Sequence, residues 1–140
     1  MKKDTAEMLK ELENCSDFKS FYDDNSDFLL KRSLSDYLQE LLEKYGIKKA
    51  DAIKRSELSE IYAYQIFSGV RVPERKKLLS LAVGMGISFS DVQTLLMCSG
   101  YAVLYAKNEF DCIIIYGIYK GLSVMDINEI LFDHGFDTLG

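Results

Sequence analysis

The sequence contains no tryptophan, one proline, one histidine and only three cysteines among 140 residues. Cys15, Cys98 and Cys112 are too few and too widely spaced for a disulfide framework or a zinc motif, so we expect reduced thiols. No apolar run approaches the roughly 18–20 residues that a membrane span needs. The basic N-terminal start has no apolar stretch behind it, which argues against a secretory signal. These absences favour a cytoplasmic protein that spans no membrane.

Sequence motifs of catalysis are also missing. There is no phosphate-binding glycine loop, no nucleophile elbow and no Cys–His pair with an orienting acid. His134 has Asp133 and Asp137 nearby, but this spacing matches no metal motif, and a histidine in the last turn of a helix interacts favourably with the helix dipole. We therefore predict neither an enzyme nor a protein with a metal or another cofactor.

Charge is distributed unevenly along the chain. The formal net charge is −5, yet residues 44–77 contain nine lysines and arginines against four acidic residues. That segment carries +5, so the remainder carries −10. A basic segment inside an acidic protein can direct an anion to one face, although a charge run by itself is more often a solvated helical surface.

Apolar spacing and helix-capping residues predict an all-α protein. The clearest segment is residues 34–45, where leucines recur with the helical period and Gly46 supplies a left-handed stop. Residues 112–116 are β-branched and aromatic, but a lone strand would have no partner here, so we predict a helix. The predicted helices cover residues 5–14, 34–45, 48–55, 60–67, 73–84, 90–98, 110–120 and 124–134.

Several of these helices carry recognisable start and stop signals. Pro73 is expected to open its helix, because proline suits the first turn, and Gly84 and Gly86 are expected to close it. Four capping residues each precede an acidic residue by three positions, a pattern that compensates free amides and the helix dipole. They are Asp4, Ser88, Asn108 and Ser123.

Residues 48–67 form two short helical segments joined by a tight turn, which is the helix-turn-helix pattern. A longer amphipathic helix precedes this unit and two more follow it. The residues that define the arrangement are Gly46, Ile47, Ala50, Ile53, Leu58, Ser59, Ala63, Ile66, Ser68, Gly69, Val70, Arg71, Val72, Pro73, Leu78, Leu79, Leu81 and Ala82. In order and spacing the arrangement resembles the five-helix, lambda-repressor-like DNA-binding domain of the Xre family, over about residues 34–97.

The resemblance implies that the helix beginning at Ser59 lies in the major groove of duplex DNA. It places Glu60, Ile61, Tyr64 and Gln65 against base edges, where the Gln65 amide would bridge adenine and Ile61 would touch a thymine methyl. It also implies a set of phosphate-binding residues that supply affinity and fix the register. These are Lys48, Lys49, Ser59, Arg71, Arg75 and Lys76.

Two functions remain open at this point. The first is a small DNA-binding transcription regulator, and the second is a protein-interaction module that keeps the repressor-like fold without binding DNA. The net charge of −5 motivates the second, as does Glu60, whose carboxylate would approach phosphates. Glu57 stands where the family usually has glycine, so we expect a less favourable backbone conformation there, costing about 1 kcal/mol.

We divide the chain into three parts. Residues 1–32 are predicted to form an N-terminal helix and, over residues 15–32, a polar linker that packs locally. Residues 33–100 form the helix-turn-helix domain. Residues 101–140 hold a C-terminal pair of helices with more apolar side chains than two short helices can bury between themselves. We expect this extension to cover the five-helix unit, or to form a homodimer surface or a docking face for another protein.

Overall fold

The computed structural model describes residues 4–26 and 33–140, and all the regular secondary structure in those ranges is helical. The chain divides into two compact units, whose described residues are 4–26 and 33–140. The helices are α1 Thr5–Asn14, α2 Phe18–Asn25, α3 Leu34–Tyr45, α4 Lys49–Ser56, α5 Glu60–Ser68, α6 Arg75–Met85, α7 Phe89–Cys98, α8 Glu109–Lys120 and α9 Val124–Asp133. The all-α prediction is therefore confirmed for the described residues.

The first unit contains α1, as predicted, and a second helix where the sequence predicted a linker. α2 forms because the Asp17 carboxylate accepts a hydrogen bond from the Ser20 amide at 2.7 Å, which caps the first turn. Phe18 and Phe21 then lie on one face, with ring centroids 6.1 Å apart. The linker prediction is wrong for these residues, and its last part, residues 27–32, lies outside the described residues.

In the second unit, the capping residues act as the sequence predicts. The side chains of Ser88, Asn108 and Ser123 each accept a hydrogen bond from the backbone amide three residues further on. Gly46 ends α3 in the left-handed conformation, with φ 62°. The β-branched residues 112–116 lie within α8, so the predicted helix is confirmed there.

The start of α6 differs from the prediction that Pro73 opens this helix. The helix begins at Arg75 and follows an extended Glu74, whose ψ is 160°. Pro73 is buried, and its carbonyl accepts a hydrogen bond from the Tyr101 hydroxyl. The proline therefore ends a loop that is tied to residue 101, and the helix starts two residues later.

The end of α6 also differs, because Gly84 lies inside the helix and Gly86 alone closes it. A Cβ atom on Gly84 would lie 2.6 Å from the Ser56 backbone nitrogen and 2.9 Å from the Ala52 carbonyl oxygen. No side chain fits in that space, so glycine permits α6 to pack directly against the backbone of α4. Close packing, and not helix termination, explains this glycine.

One hydrophobic core runs through the second unit, with α6 as its central helix. Leu78, Leu79 and Leu81 of α6 are completely buried. Helices α8 and α9 add Ile114 and Ile127 to the same core. The C-terminal helices therefore cover the earlier helices, one of the arrangements that the apolar content of residues 101–140 predicted.

A polar cluster joins the end of α3 to the start of α7. The Asp91 carboxylate accepts hydrogen bonds from the Lys44 ammonium at 2.8 Å and from the Tyr45 hydroxyl. Burial raises the pKa of Asp91, but the hydrogen bonds from Lys44 and Tyr45 outweigh burial and hold that pKa below its usual value. The same bond to Asp91 raises the pKa of Lys44.

Candidate nucleic-acid interface

The corner between α4 and α5 is made by residues 57–59. Glu57 adopts the left-handed conformation, with φ 61°, as the only described non-glycine residue that has a positive φ. The buried Ser56 hydroxyl donates to the Ile53 carbonyl and accepts from the Leu58 amide, which fixes the turn. Ser59 then caps α5 by accepting from the Tyr62 amide at 3.2 Å. The predicted unfavourable backbone conformation at Glu57 is confirmed.

Helix α5 buries one face and presents the other to solvent. Ala63, Ile66 and Phe67 are buried in the core. On the opposite side Ile61 is 75% exposed and Tyr64 is 41% exposed. The four side chains predicted to read bases line one shallow depression together with Lys49 and Ser68. They are Glu60, Ile61, Tyr64 and Gln65, called the exposed face of α5 below.

Two lysines stand at the start of α4, and one of them lies beside this face. Lys48 is exposed at the N-terminal end of that helix, where its backbone carbonyl accepts from the Ala52 amide. Lys49 lines the depression itself, and its ammonium lies 5.5 Å from the centroid of the Phe67 ring. One edge of the exposed face of α5 is therefore positively charged.

A second group of cations contacts α5 through Tyr62 and Gln65. The Arg71 Nε donates to the Gln65 Oε1 at 2.9 Å, and its guanidinium carbon lies 5.3 Å from the centroid of the Tyr62 ring. The Lys77 ammonium lies 5.8 Å from the same ring centroid. The chain reaches Arg71 through a left-handed turn at Gly69, whose φ is 85°. The exposed face of α5 thus has cations on both sides.

Arg75 is placed differently from the other predicted phosphate-binding residues. Its guanidinium donates two hydrogen bonds to the Asp111 carboxylate, at 3.0 and 3.1 Å, and further bonds to the carbonyls of Ala102 and Val103. Its side chain is 23% exposed and that of Asp111 is 8% exposed. Because these contacts occupy its donors, Arg75 holds the loop after α7 and the start of α8, and we leave it out of the interface. Lys76, the next residue, is half-buried.

For three residues near α5 the sequence did not predict a place beside this helix. The sequence shows Lys77 only as one cation of the basic segment. Its contact with Tyr62 joins two helices, and a sequence pattern does not reveal a contact of that kind. Val70 and Val72, on either side of Arg71, are largely exposed although they are apolar. Exposed valines in a loop leave no periodic signal in a sequence, so only the structure reveals them.

The acidic and histidine residues form no metal site in residues 4–26 and 33–140: no group of three or more possible ligands occurs there. His134 lies at the C-terminal cap of α9, the position expected to favour it through the helix dipole. Its Nδ1 is 4.0 Å from the Glu109 Oε1. Within the same described ranges, each helix is too short or too polar to cross a lipid bilayer.

Comparison of this chain with protein-family models, with curated proteins and with solved structures gives no match. The resemblance to the Xre family therefore depends on the order and spacing of helices in this sequence.

Proposed function

We propose that this protein is a DNA-binding transcription regulator that inserts α5 into the major groove of duplex DNA through a helix-turn-helix formed by α4 and α5. The observation that carries the proposal is the solvent-exposed face of α5 with cations on both sides. Lys49, which follows Lys48 in the chain, lies at one edge, and Arg71 and Lys77 lie near Tyr62 and Gln65. The major groove is about 12 Å wide and admits an α-helix.

The charge arrangement supports DNA over other anions because phosphates run along both edges of the groove. Cations on both sides of a helix can neutralise both rows of phosphates while the helix between them meets base edges. The remainder of the chain is acidic, which disfavours binding through another surface. Ser59, which caps α5, adds a hydroxyl and helix N-terminal amides close to the DNA.

Titration of a fluorescent genomic duplex by anisotropy at increasing salt tests this proposal. The four cations Lys48, Lys49, Arg71 and Lys77 predict a slope of log K against log salt of about −3 to −4. Lys49→Ala should weaken binding to all sequences and reduce the slope by about 1. Lys107→Ala, at an exposed lysine in the loop before α8, is the matched control and should change neither quantity. A salt-independent affinity, or an equal effect of both variants, would contradict the proposal.

A homodimer formed through the C-terminal helices is part of the proposed function, because a two-fold protein matches a two-fold operator. The side chains that these helices leave exposed support it: Tyr116 and Tyr119 on α8, and Met125 and Phe132 on α9. Light scattering at tens of micromolar protein should give twice the chain mass, and Phe132→Asp should give a monomer. A monomeric wild type would exclude the dimer, and the proposal would then be that one copy of the protein binds DNA.

A protein-interaction module is the second candidate, and one observation favours it. Ile61, Val70 and Val72 are all largely exposed near the proposed interface, and Glu60 adds a negative charge there. Exposed apolar residues around one helix suit a protein partner. A gel shift with random genomic fragments at low salt separates the two candidates: no retention at micromolar protein would favour the interaction module.

A further inference from the structure

Arg71 is held in one orientation by its contacts with Gln65 and Tyr62. Its backbone amide donates to the Gln65 carbonyl at 3.2 Å, and its side-chain Nε donates to the Gln65 Oε1 at 2.9 Å. Its guanidinium also lies over the Tyr62 ring, 5.3 Å from the centroid. No carboxylate pairs with Arg71 within the described ranges. An exposed arginine that is fixed in this way has lost much of its side-chain freedom before any ligand binds.

These contacts determine which polar groups remain available. The Nε of Arg71 is used by Gln65, so the two terminal nitrogens remain as a planar fork of donors. The Oε1 of Gln65 accepts from Arg71 with one of its two lone pairs, whereas both protons of its amide nitrogen remain available. The pair therefore presents more donors than acceptors.

A pair of donors selects among the base edges of the major groove. Guanine presents two adjacent acceptors, O6 and N7, whereas adenine presents one acceptor and one donor. A bidentate contact from Gln65 to adenine needs its carbonyl as an acceptor, and the bond from Arg71 already takes one of the two lone pairs of that oxygen and fixes its direction. Gln65 also lines the depression with Ile61 and Tyr64, which places the pair at the exposed face of α5.

We propose that Arg71 and Gln65 act together to read a guanine in the major groove, and that Tyr62 is a positioning residue that keeps the guanidinium plane in place. This inference rests on the proposed DNA-binding function. It changes two expectations from the resemblance, since Arg71 would contact a base in addition to any phosphate, and Gln65 would support guanine reading by Arg71 in place of bridging adenine by itself.

The test begins with selection of bound sequences from a random duplex pool by the full chain, which should give a site with a fixed guanine. Affinity is then compared between that duplex and one carrying 7-deazaguanine at the same position, which lacks the N7 acceptor. The wild type should prefer guanine by at least about fivefold, because a bidentate pair discriminates by roughly 5- to 150-fold.

Variants separate base reading from phosphate binding. Arg71→Met and Gln65→Met should reduce the preference for guanine over 7-deazaguanine to less than about twofold. Tyr62→Leu should reduce the preference too, while Tyr62→Phe should retain it because the ring face remains. Lys48→Met is the matched control: it removes one cation and should weaken both complexes equally without changing their ratio.

Each other outcome overturns the inference in a distinguishable way. If the wild type binds no duplex, the proposed function fails and the inference fails with it. If the wild type binds DNA without a fixed guanine or without the preference, the function stands and the inference is wrong. A preference that survives in Arg71→Met would make Arg71 a phosphate contact only.

Discussion

Among residues 4–26 and 33–140, Glu57 alone combines a side chain with a left-handed backbone conformation. A left-handed conformation brings the Cβ of an L-residue close to the following carbonyl oxygen, at a cost of about 1–2 kcal/mol. The chain accepts this cost because α4 and α5 need a sharp corner, and Ser56 holds that corner by two hydrogen bonds. The residue most suited to the position is glycine.

Glu57→Gly should therefore stabilise the protein by about 0.5–1 kcal/mol, because relief of the steric conflict exceeds the added chain entropy of glycine. Urea unfolding followed by circular dichroism measures the change. Glu57→Ala is the matched control, since alanine has a Cβ and meets the same conflict. An equal gain for both variants would mean that the charge of Glu57, and not its backbone, is responsible.

Single-residue features were predictable to different degrees. The strain at Glu57 follows from its place in the turn, which the sequence already indicates. The exposure of Ile61 and Tyr64 also follows from helical spacing, because Ala63 and Ile66 occupy the opposite face. The hydrogen bond between Arg71 and Gln65 was not predictable, because each of these side chains can bond to many different partners.

At the scale of helices, the Lys44–Tyr45–Asp91 cluster links α3 to α7 and should make stability depend on pH. Because the pKa of Asp91 in the folded protein is lowered, its contribution is fully present above the unfolded pKa, about 3.9, and is lost as pH falls through the lower folded pKa. Wild type should therefore exceed Asp91→Asn in unfolding free energy at pH 7, and the difference should shrink as pH falls below about 4.

Urea titrations of both proteins between neutral pH and pH 3 measure that difference. Asp137→Asn, at an exposed residue outside the helices, serves as the control and should follow the wild type. A gap between wild type and Asp91→Asn that stays constant across this range would show that the cluster acts through packing and not through charge.

Helices were the best predicted level of this structure, for a physical reason. A helix cap uses residues three positions apart, so it can be recognised from a short stretch of sequence. This is how the helices that begin after Ser88, Asn108 and Ser123 were predicted. α2 was missed because its apolar residues are few. Gly84 was misassigned as a stop because the Ser56 backbone that it touches lies 28 positions earlier in the sequence.

At the scale of the whole molecule, Arg75 and Asp111 connect the segment around α5 and α6 with the C-terminal helices. The pair spans 36 residues, and Asp111 also accepts from the Tyr105 amide at 3.0 Å. Sequence patterns are local, so they predicted helices on both sides of residue 100 without indicating this bond. The core that α6, α8 and α9 share is likewise built from residues far apart in the sequence, so local patterns did not indicate it.

Asp111→Asn should destabilise the protein by about 2–3 kcal/mol, because it leaves the Arg75 guanidinium without its carboxylate in a mostly buried site. The decrease would be measured as a lower urea midpoint with an unchanged slope. Glu109→Gln, an exposed position on the same helix, should change the midpoint little. A loss below about 0.5 kcal/mol in Asp111→Asn would mean that water replaces the carboxylate.

The final residues of the chain pack against the corner that precedes α5. The Leu139 amide donates to the Asn128 side chain at 2.7 Å, and the Lys77 ammonium donates to the Gly140 carbonyl at 2.6 Å. Gly140 also approaches Leu58 of the α4–α5 turn. A reporter attached at Gly140 would consequently lie beside the turn that leads into α5, so affinity measurements are better made on protein without one.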